Sequence, residues 1–155
     1  MTIEQVEQGP NRVARAVEVP ASASDVFALI ADPHRHGELD GSGTVGGTVS
    51  GPRRLSQGAQ FSVAMKQFGV KYRVTSTVTR FEDGRLVEWS SPAGHRWRWE
   101  LMPLTATSTR VTETFDYSTV PAWQSKVFEF LGLPRKNAAG IEATLRQLVS
   151  RYATA

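Results

Sequence analysis

The sequence predicts a single α+β domain, in which a curved antiparallel sheet of about seven strands packs on a long C-terminal helix, with two short helices after the first strand. Two observations carry this prediction. Apolar residues recur with a period of two through the middle of the chain and with a helical period at its end. Short turns separate the strand-like segments, which favours antiparallel pairing of neighbours. At 155 residues, of which 40% are hydrophobic, the chain has the size of one domain spanning residues 1–155.

The first predicted strand is RVARAVEV, residues 12–19, and the polar residues 1–11 before it are expected to be flexible. A serine in the segment that follows can cap a helix formed by DVFALIAD. Pro33 ends this helix, because the residue before a proline is biased away from the helical region. A second short helical turn is predicted for residues 34–39.

Alternation of apolar and polar residues predicts the central strands. One face is apolar and the other carries lysine, arginine and threonine in FSVAMKQF and VKYRVTSTVTRF. The same alternation continues in RLVEWS, HRWRWELM and TRVTETFDY, with turn residues between these segments. We expect a sharp bend and a β-bulge at the sheet edge from the glycine-rich run GSGTVGG, residues 41–47.

Two helical patterns follow the sheet. The first is short and amphipathic, and we expect a loop with one or two helical turns that ends at Gly132 and Pro134. Its apolar residues are Trp123, Val127, Phe130 and Leu131. The second pattern, from residue 135 to residue 152, predicts the longest helix. Its apolar face consists of Ile141, Leu145, Leu148, Val149 and Tyr152.

The sequence excludes several kinds of catalytic and cofactor site. The chain has no cysteine, which excludes thiol nucleophiles, zinc ribbons and cysteine-ligated iron–sulfur clusters. The run GSGTVGG matches the letters of a dinucleotide fingerprint, but it lacks the strand before, the helix after and the acidic residue about 20 positions on. Nucleophile-elbow, P-loop and HExxH motifs do not occur. We therefore predict no cofactor.

The charge pattern argues against nucleic-acid binding. The formal net charge is +3, and there is no acidic residue between Gly41 and Phe81. Lys71 and Arg73 alternate with apolar residues, as on the solvent-facing side of a strand, rather than clustering on a helix. The chain begins with a polar, acidic segment and has no apolar run near the ~18 residues of a membrane span. We expect a cytoplasmic protein.

Two histidines flank an arginine in ADPHRHGELD. His34 and His36 are two positions apart, with Asp40 four residues further on. Transition-metal sites commonly need three or four ligands, and His95 is the only other histidine. We therefore expect a polar cap and hinge between the two short helices, and no metal site.

Several of these segments resemble those of a known superfamily. VEVPASASDVFALIADP is similar to the opening strand and helix of the START-like, Bet v 1-like (SRPBCC) superfamily, and WRWELMPL with TRVTETFDY to its late strand pair. Within that superfamily the chain resembles the polyketide cyclase/dehydratase and lipid-transport group, over nearly its whole length. The resemblance implies a helix-grip fold, in which the sheet wraps around the last helix and encloses a cavity for an apolar ligand. It also implies that the segment with His36 lies near the cavity rim.

Large rings share the inward face of the predicted sheet. They belong to Phe61, Tyr72, Trp97, Trp99, Phe115 and Tyr117, and Met65 lies on the same face. From the residues alone, a cavity wall and a solid core fit this pattern equally well. The resemblance favours the cavity wall and implies that these residues bind the ligand, with Phe128, Ile141 and Leu145 closing the cavity from the helical side.

Two polar residues share the inward face, Glu113 and His95. A carboxyl group that faces an apolar interior either has a raised pKa or has a partner, so Glu113 is a candidate general acid or base. An ordinary structural role, at the rim or paired with an arginine, is the alternative. His95 follows a turn and is expected at an exposed end of the sheet. Tyr72 and His36 complete the candidate catalytic residues.

Three functions are compatible with these observations. The first is a carrier or sensor that binds an apolar small molecule, such as a lipid, an isoprenoid or a polyketide-like compound. The second is a small cyclase or dehydratase that folds a polyketide-like substrate in a dry cavity and moves protons with one carboxylate or histidine. An interaction protein with a vestigial cavity is a third. The expected partner is the small molecule, and a homodimer is compatible with the sequence.

Overall fold

The structure is a computed structural model that describes residues 1–39 and 45–153, without the side chains of residues 45–48 and 67. The strands are β1 (Glu4–Val6), β2 (Arg12–Val19), β3 (Val45–Ser50), β4 (Gln60–Gln67), β5 (Val70–Glu82), β6 (Leu86–Ser90), β7 (Arg96–Thr105) and β8 (Ser108–Asp116). The helices are α1 (Ala23–Ile30), a 3₁₀ helix (Pro33–Glu38), α2 (Ala122–Phe130) and α3 (Leu133–Ala153). Within the described ranges, no helix is both long enough and apolar enough to cross a bilayer.

All eight described strands form one antiparallel sheet in the order β1-β2-β8-β7-β6-β5-β4-β3. The long helix α3 packs against β2 and β8 on the apolar face of this sheet. Ile141, Leu145 and Leu148 of α3 are fully buried there. The predicted α+β helix-grip architecture is therefore confirmed, with one strand more than the sequence indicated.

The additional strand, β1, lies within the segment that was expected to be flexible. It pairs with β2, with Glu4 opposite Ala16. The residues after it cover a buried ion-pair network on the outer face of the sheet, where the Gln8 side-chain oxygen accepts a hydrogen bond from Arg98 Nη2 at 2.6 Å. The polar composition of residues 1–11 did not indicate this strand, because composition does not signal the pairing with β2 or the contact of Gln8 with Arg98.

The centre of that outer-face network is Glu88, which is only 1% exposed. Arg98 donates to one of its oxygens from Nη1 at 3.0 Å, and Thr79 donates to the other from Oγ1 at 2.9 Å. Arg98 also bonds Glu100 at 2.8 Å. Burial alone would lower the pKa of Arg98, and the two carboxylates Glu100 and Glu88 outweigh it and raise that pKa. The outer face therefore carries a buried, paired charge cluster.

Local sequence signals explain both short helices. Ser22 Oγ accepts a hydrogen bond from the Asp25 backbone N–H at 3.2 Å and so caps α1, as predicted for a serine in this segment. Asp32 caps the 3₁₀ helix in the same way, through the His34 backbone N–H at 3.0 Å, and Pro33 occupies its first turn. These caps fix the orientation of the segment that carries His36.

Besides a register shift between Pro103 and Thr105 of β7, two others among the described strands bend the sheet. One lies between Val78 and Arg80 of β5 and reverses the side-chain parity, so that Phe81 turns inward to contact Phe27, with 5.6 Å between ring centroids. The other lies between Val45 and Val49 of the edge strand β3, where the glycine-rich run predicted a bulge. Residues 41–44 of this run, where part of the expected bend falls, lie outside the described residues.

The prediction of a loop with one or two turns at residues 122–134 was wrong. This segment forms α2, a nine-residue helix. No helix breaker occurs before Gly132, which adopts a φ of 71° and ends the helix in the left-handed conformation. Ser125 and Phe128 face the protein, whereas Trp123 and Phe130 are exposed.

Candidate functional site

A cavity of about 790 Å³ lies between the concave face of the sheet and the helices α2 and α3. Eight of the ten residues expected to bind the ligand line it, namely Phe61, Met65, Tyr72, Trp97, Trp99, Phe115, Phe128 and Ile141. A second hollow of about 540 Å³, near Tyr152 and Ala106, is open to solvent. Its lining contains small and polar residues, so the larger cavity is the candidate site.

Tyr117 and Leu145, the other two, do not line the cavity. Tyr117 is buried behind the wall, and its ring stacks on Phe115 at 5.5 Å between centroids. Leu145 is fully buried in the core between α3 and the sheet. Both residues have the predicted facing, but they lie beyond the part of the interior that stays open.

The cavity has a buried floor and an exposed mouth. Its floor is made by Ile30, Leu39, Phe61, Trp99 and Ile141, all of them buried. The mouth is bordered by Tyr72 and Arg73 of β5, Pro92 and Ala93 of the β6–β7 turn, and Lys136 of α3, all of them exposed. The mouth therefore lies at the end of the sheet where the β4–β5 turn, the β6–β7 turn and the α2–α3 junction meet.

Strand register builds the aromatic wall. Trp89 of β6 lies opposite Trp97 of β7, which lies opposite Phe115 of β8. The rings of Trp97 and Phe115 are 5.0 Å apart between centroids. Trp89 was not among the predicted lining residues, although the alternation in RLVEWS places it on the same face as the inward-facing Val87. These stacked rings line the open space without filling it.

His36 lines the cavity beside this wall. Its Nε2 lies 2.7 Å from the Ile30 carbonyl oxygen, which can only accept, so Nε2 carries the proton and donates. Its ring stacks on Trp89 at 5.2 Å and meets the edge of Phe61 at 5.8 Å between centroids. Burial lowers the pKa of His36, against the opposing effects of Ile30 and of the nearby Asp32. The imidazole is therefore neutral at pH 7 and keeps Nδ1 as an acceptor.

His95 was expected at an exposed end of the sheet, and this was wrong. It is partly buried and lines the cavity, with its ring against Phe115 at 5.3 Å and Phe128 at 5.9 Å between centroids. Its Nδ1 lies 3.2 Å from Ser91 Oγ. Burial lowers the pKa of His95. His95 does follow a turn, as predicted, but α2 covers this turn. The contact between α2 and the turn cannot be predicted from the local sequence.

Glu113 lies in the cavity wall and is 7% exposed. It is opposite Trp99 on β7 and opposite Arg15 on β2. Arg15 directs its guanidinium to Glu142 of α3, with Nε 3.1 Å from Oε1. Glu113 shares the cavity wall with the rings of Trp97, Trp99 and Phe115.

The three candidate catalytic residues all line the cavity, but on different walls. Tyr72 lies at the mouth on β5, and two strands, β6 and β7, separate β5 from the β8 strand of Glu113. His36 comes from the 3₁₀ helix. The cavity also contains polar residues that the sequence analysis did not single out, among them Ser76 and Thr144.

The histidine pair does not form a metal cluster with other described residues. His34 Nε2 donates to the Gly51 carbonyl oxygen at 2.8 Å, just as His36 donates to that of Ile30. Among the described residues, no three histidine, aspartate or glutamate side chains converge. Asp40 lies outside those residues. The two imidazoles hold the short helices to neighbouring backbone, in agreement with a polar cap.

The comparison with known proteins agrees with this geometry. Residues 10–153 match the family model described as polyketide cyclase / dehydrase and lipid transport. The chain belongs to this family. The predicted superfamily is thereby confirmed, and membership supports a ligand-binding or cyclase role.

An uncharacterized protein of Mycobacterium tuberculosis, Rv0088, is 54% identical over 155 residues, which cover 99% of this chain and 69% of that protein. A START superfamily protein from Mycobacterium smegmatis has a similar fold, with a TM-score of 0.66, 16% identity and coverage of 92% and 97%. The Zhui aromatase/cyclase from Streptomyces sp. R1128 superposes with a TM-score of 0.61 at 18% identity, covering 88% of this chain and 92% of that one. The family therefore includes both transport and cyclase descriptions, and the two structures show the shared fold.

Proposed function

We propose that this protein binds a mostly apolar small molecule in its cavity and acts as a carrier or sensor. The observation that carries the proposal is an open space of about 790 Å³ that aromatic side chains surround and do not fill. This volume lies within the roughly 300–1,000 Å³ typical of small-molecule sites. The apolar wall supplies affinity through burial, and its few polar groups restrict orientation.

The polar groups indicate what the ligand carries. His36 and His95 are both neutral at pH 7 because burial lowers the pKa of each. A neutral imidazole can bond a hydroxyl or a carbonyl but offers no charge to a carboxylate. The ligand class that fits is an isoprenoid, lipid or polyketide-like compound with a few hydroxyl or carbonyl oxygens.

The test is direct. Native mass spectrometry of the protein purified from its own host should show a bound compound, and an apolar fluorophore such as N-phenyl-1-naphthylamine should compete with it. Trp97→Ala should weaken fluorophore binding about fivefold or more, because it removes part of the stacked wall. Met102→Ala is the matched control, since Met102 is exposed at the far end of β7. Unchanged affinity in Trp97→Ala, with an intact fold by circular dichroism, would refute the wall assignment.

A cyclase or dehydratase is the second candidate, supported by the buried carboxyl of Glu113 and the neutral His36 in one cavity. A dehydration needs a base that removes a proton next to a carbonyl and an acid that protonates the departing hydroxyl. Glu113→Gln should then abolish turnover of a polyketide-like substrate while fluorophore affinity stays within about twofold. Equal loss of both would indicate a structural role for Glu113.

A further inference from the structure

Exposed apolar side chains are concentrated at the cavity mouth. Seven of the ten large apolar side chains exposed in the described residues lie there, on the β4–β5 hairpin, on α2 and just after α2. They are Phe68, Val70, Tyr72, Trp123, Val127, Phe130 and Leu131, which we call the mouth patch. Phe68 is 84% and Phe130 is 90% exposed, so folding buries almost none of these rings. An apolar patch of this kind on a folded domain indicates an interaction surface.

The β4–β5 hairpin and the start of α3 meet across the opening. The Lys136 ammonium at the start of α3 lies 4.5 Å from the centroid of the Phe68 ring at the tip of the hairpin. Tyr72 on one side and Phe128 on the other both line the cavity. The mouth patch therefore lies on elements that flank the entrance.

The backbone at Phe68 is strained without any gain in burial. Phe68 and Gly69 form a two-residue turn in which both φ angles are positive, 53° and 76°. Asparagine followed by glycine suits such a turn, whereas a bulky residue at positive φ is an outlier. A phenylalanine at this position costs stability, and its ring gains contact with the Lys136 ammonium but almost no burial, so a role outside folding explains it better.

The helix α2 also presents apolar residues to solvent. Trp123, Val127 and Phe130 are spaced i, i+4 and i+7 and so form one stripe, with Leu131 directly after the helix. A stripe of this spacing is normally buried, but here it is exposed. Trp123 is 69% exposed, and tryptophan is enriched where membranes meet water.

The chain around the mouth patch is strongly basic. Residues 66–73 and 122–136 contain six basic residues and one acidic residue, a net +5, whereas the whole chain has a formal charge of +3. The basic residues are Lys66, Lys71, Arg73, Lys126, Arg135 and Lys136. A second copy of the same patch would bring like charges together, which argues against a symmetric dimer through this face.

We propose that the mouth patch docks on the surface of an anionic phospholipid bilayer. The rings enter the boundary between headgroups and acyl chains, and the basic side chains lie against lipid phosphates. The cavity then opens towards the membrane, so that an apolar ligand can move between them without crossing water. Docking extends the proposed carrier function, but it does not depend on an occupied cavity.

Sedimentation with lipid vesicles tests the proposal. The protein should bind vesicles of equal parts phosphatidylcholine and phosphatidylglycerol, bind phosphatidylcholine vesicles far more weakly, and dissociate at high salt. The emission of Trp123 should shift to shorter wavelength on binding, and Trp123→Phe should remove most of that shift. Equal binding to both vesicle types, or binding to neither, would overturn the proposal.

Variants separate the rings from the charges. Phe130→Ser combined with Phe68→Asn should weaken anionic-vesicle binding about tenfold or more, as should Lys126→Glu combined with Lys71→Glu, two exposed lysines that do not line the cavity. Phe68→Asn is expected to raise the melting temperature because it relieves the turn, so a loss of binding cannot be ascribed to unfolding. The matched controls are Met102→Ser with Leu104→Ser, and Arg85→Glu with Arg146→Glu, all exposed outside the patch. An equal loss in the controls would refute the role of the patch.

Two further outcomes would assign the patch to another partner. Binding to soluble polyglutamate as tight as to anionic vesicles would indicate an acidic protein. A dimer in solution that dissociates on Phe130→Ser would indicate a second copy. Fluorophore affinity measured on the same variants without vesicles separates membrane docking from ligand binding. If the protein fails to dock on vesicles but still binds the fluorophore, only the membrane-docking proposal is refuted.

Discussion

His36 and His95 show how single residues acquire their chemistry from their surroundings. Each faces aromatic rings, and burial lowers the pKa of each below the ordinary value of 6.5. Between the lowered pKa and 6.5 the unfolded chain binds more protons than the folded one, so these histidines favour folding above about pH 6.5. That contribution is lost as the pH falls through this window.

We predict that both imidazoles titrate below 6.5 in the folded protein. The measurement is the pH dependence of their Cε1–H signals by NMR, assigned with His36→Gln and His95→Gln. Thermal stability should decline below about pH 6.5, and less steeply in each variant. Titration of either residue at or above 6.5 would mean that its ring is hydrated or paired with an anion in solution.

The sequence largely predicted which side chains point into the protein. It did not predict which of them line the cavity and which lie in the filled core. Period-two alternation placed Phe61, Trp97 and Phe115 on the inner face, where all three line the cavity. Tyr117 and Leu145 satisfied the same patterns but lie in the filled part of the interior. The extent of the cavity depends on where α2 and α3 cross the sheet. A local sequence pattern does not specify the distance between these helices and the sheet.

At the level of elements, the signals that succeeded are short-range. The Ser22 cap, the proline at 33 and the alternation of the central strands act within a few residues, and each appears in the structure. β1 was missed because its three residues, EQV, are too few to show an alternating pattern, and only pairing with β2 makes them a strand. For α2 the residues were read correctly as amphipathic, but the expected loop is a helix with its apolar stripe exposed.

The buried pair of Arg98 and Glu88 should be important for stability. Arg98→Met should lower the free energy of unfolding by about 3 kcal/mol, because it leaves Glu88 buried with weaker partners. Arg80→Met is the control, since its contact with Glu82 at 3.7 Å is exposed and should contribute between about 0 and 1 kcal/mol. Urea denaturation of the two variants gives both values. Equal effects would show that the network does not hold the N-terminal segment to the sheet.

For the whole molecule, the sheet and the terminal helix meet closely at one end and diverge at the other. Leu145 and Leu148 fill the space near β2 and β8, whereas towards the start of α3 the lining residues Asn137, Gly140 and Ile141 border open volume. Sequence periodicity predicted the two layers but not the gap between them. The resemblance to a cavity-containing superfamily supplied that expectation, and the structure contains the cavity.

The central claim is that this open volume is the ligand site, and filling it is the most direct test. Val74 lines the cavity opposite Val63, so Val74→Phe should occupy part of the space without displacing the floor. Fluorophore titration should show affinity reduced about tenfold or more in Val74→Phe, and the melting temperature of this variant should equal or exceed that of the unmodified protein. Leu104→Phe, at an exposed position outside the cavity, should bind the fluorophore normally. Equal affinity in the two variants and the unmodified protein would contradict the claim.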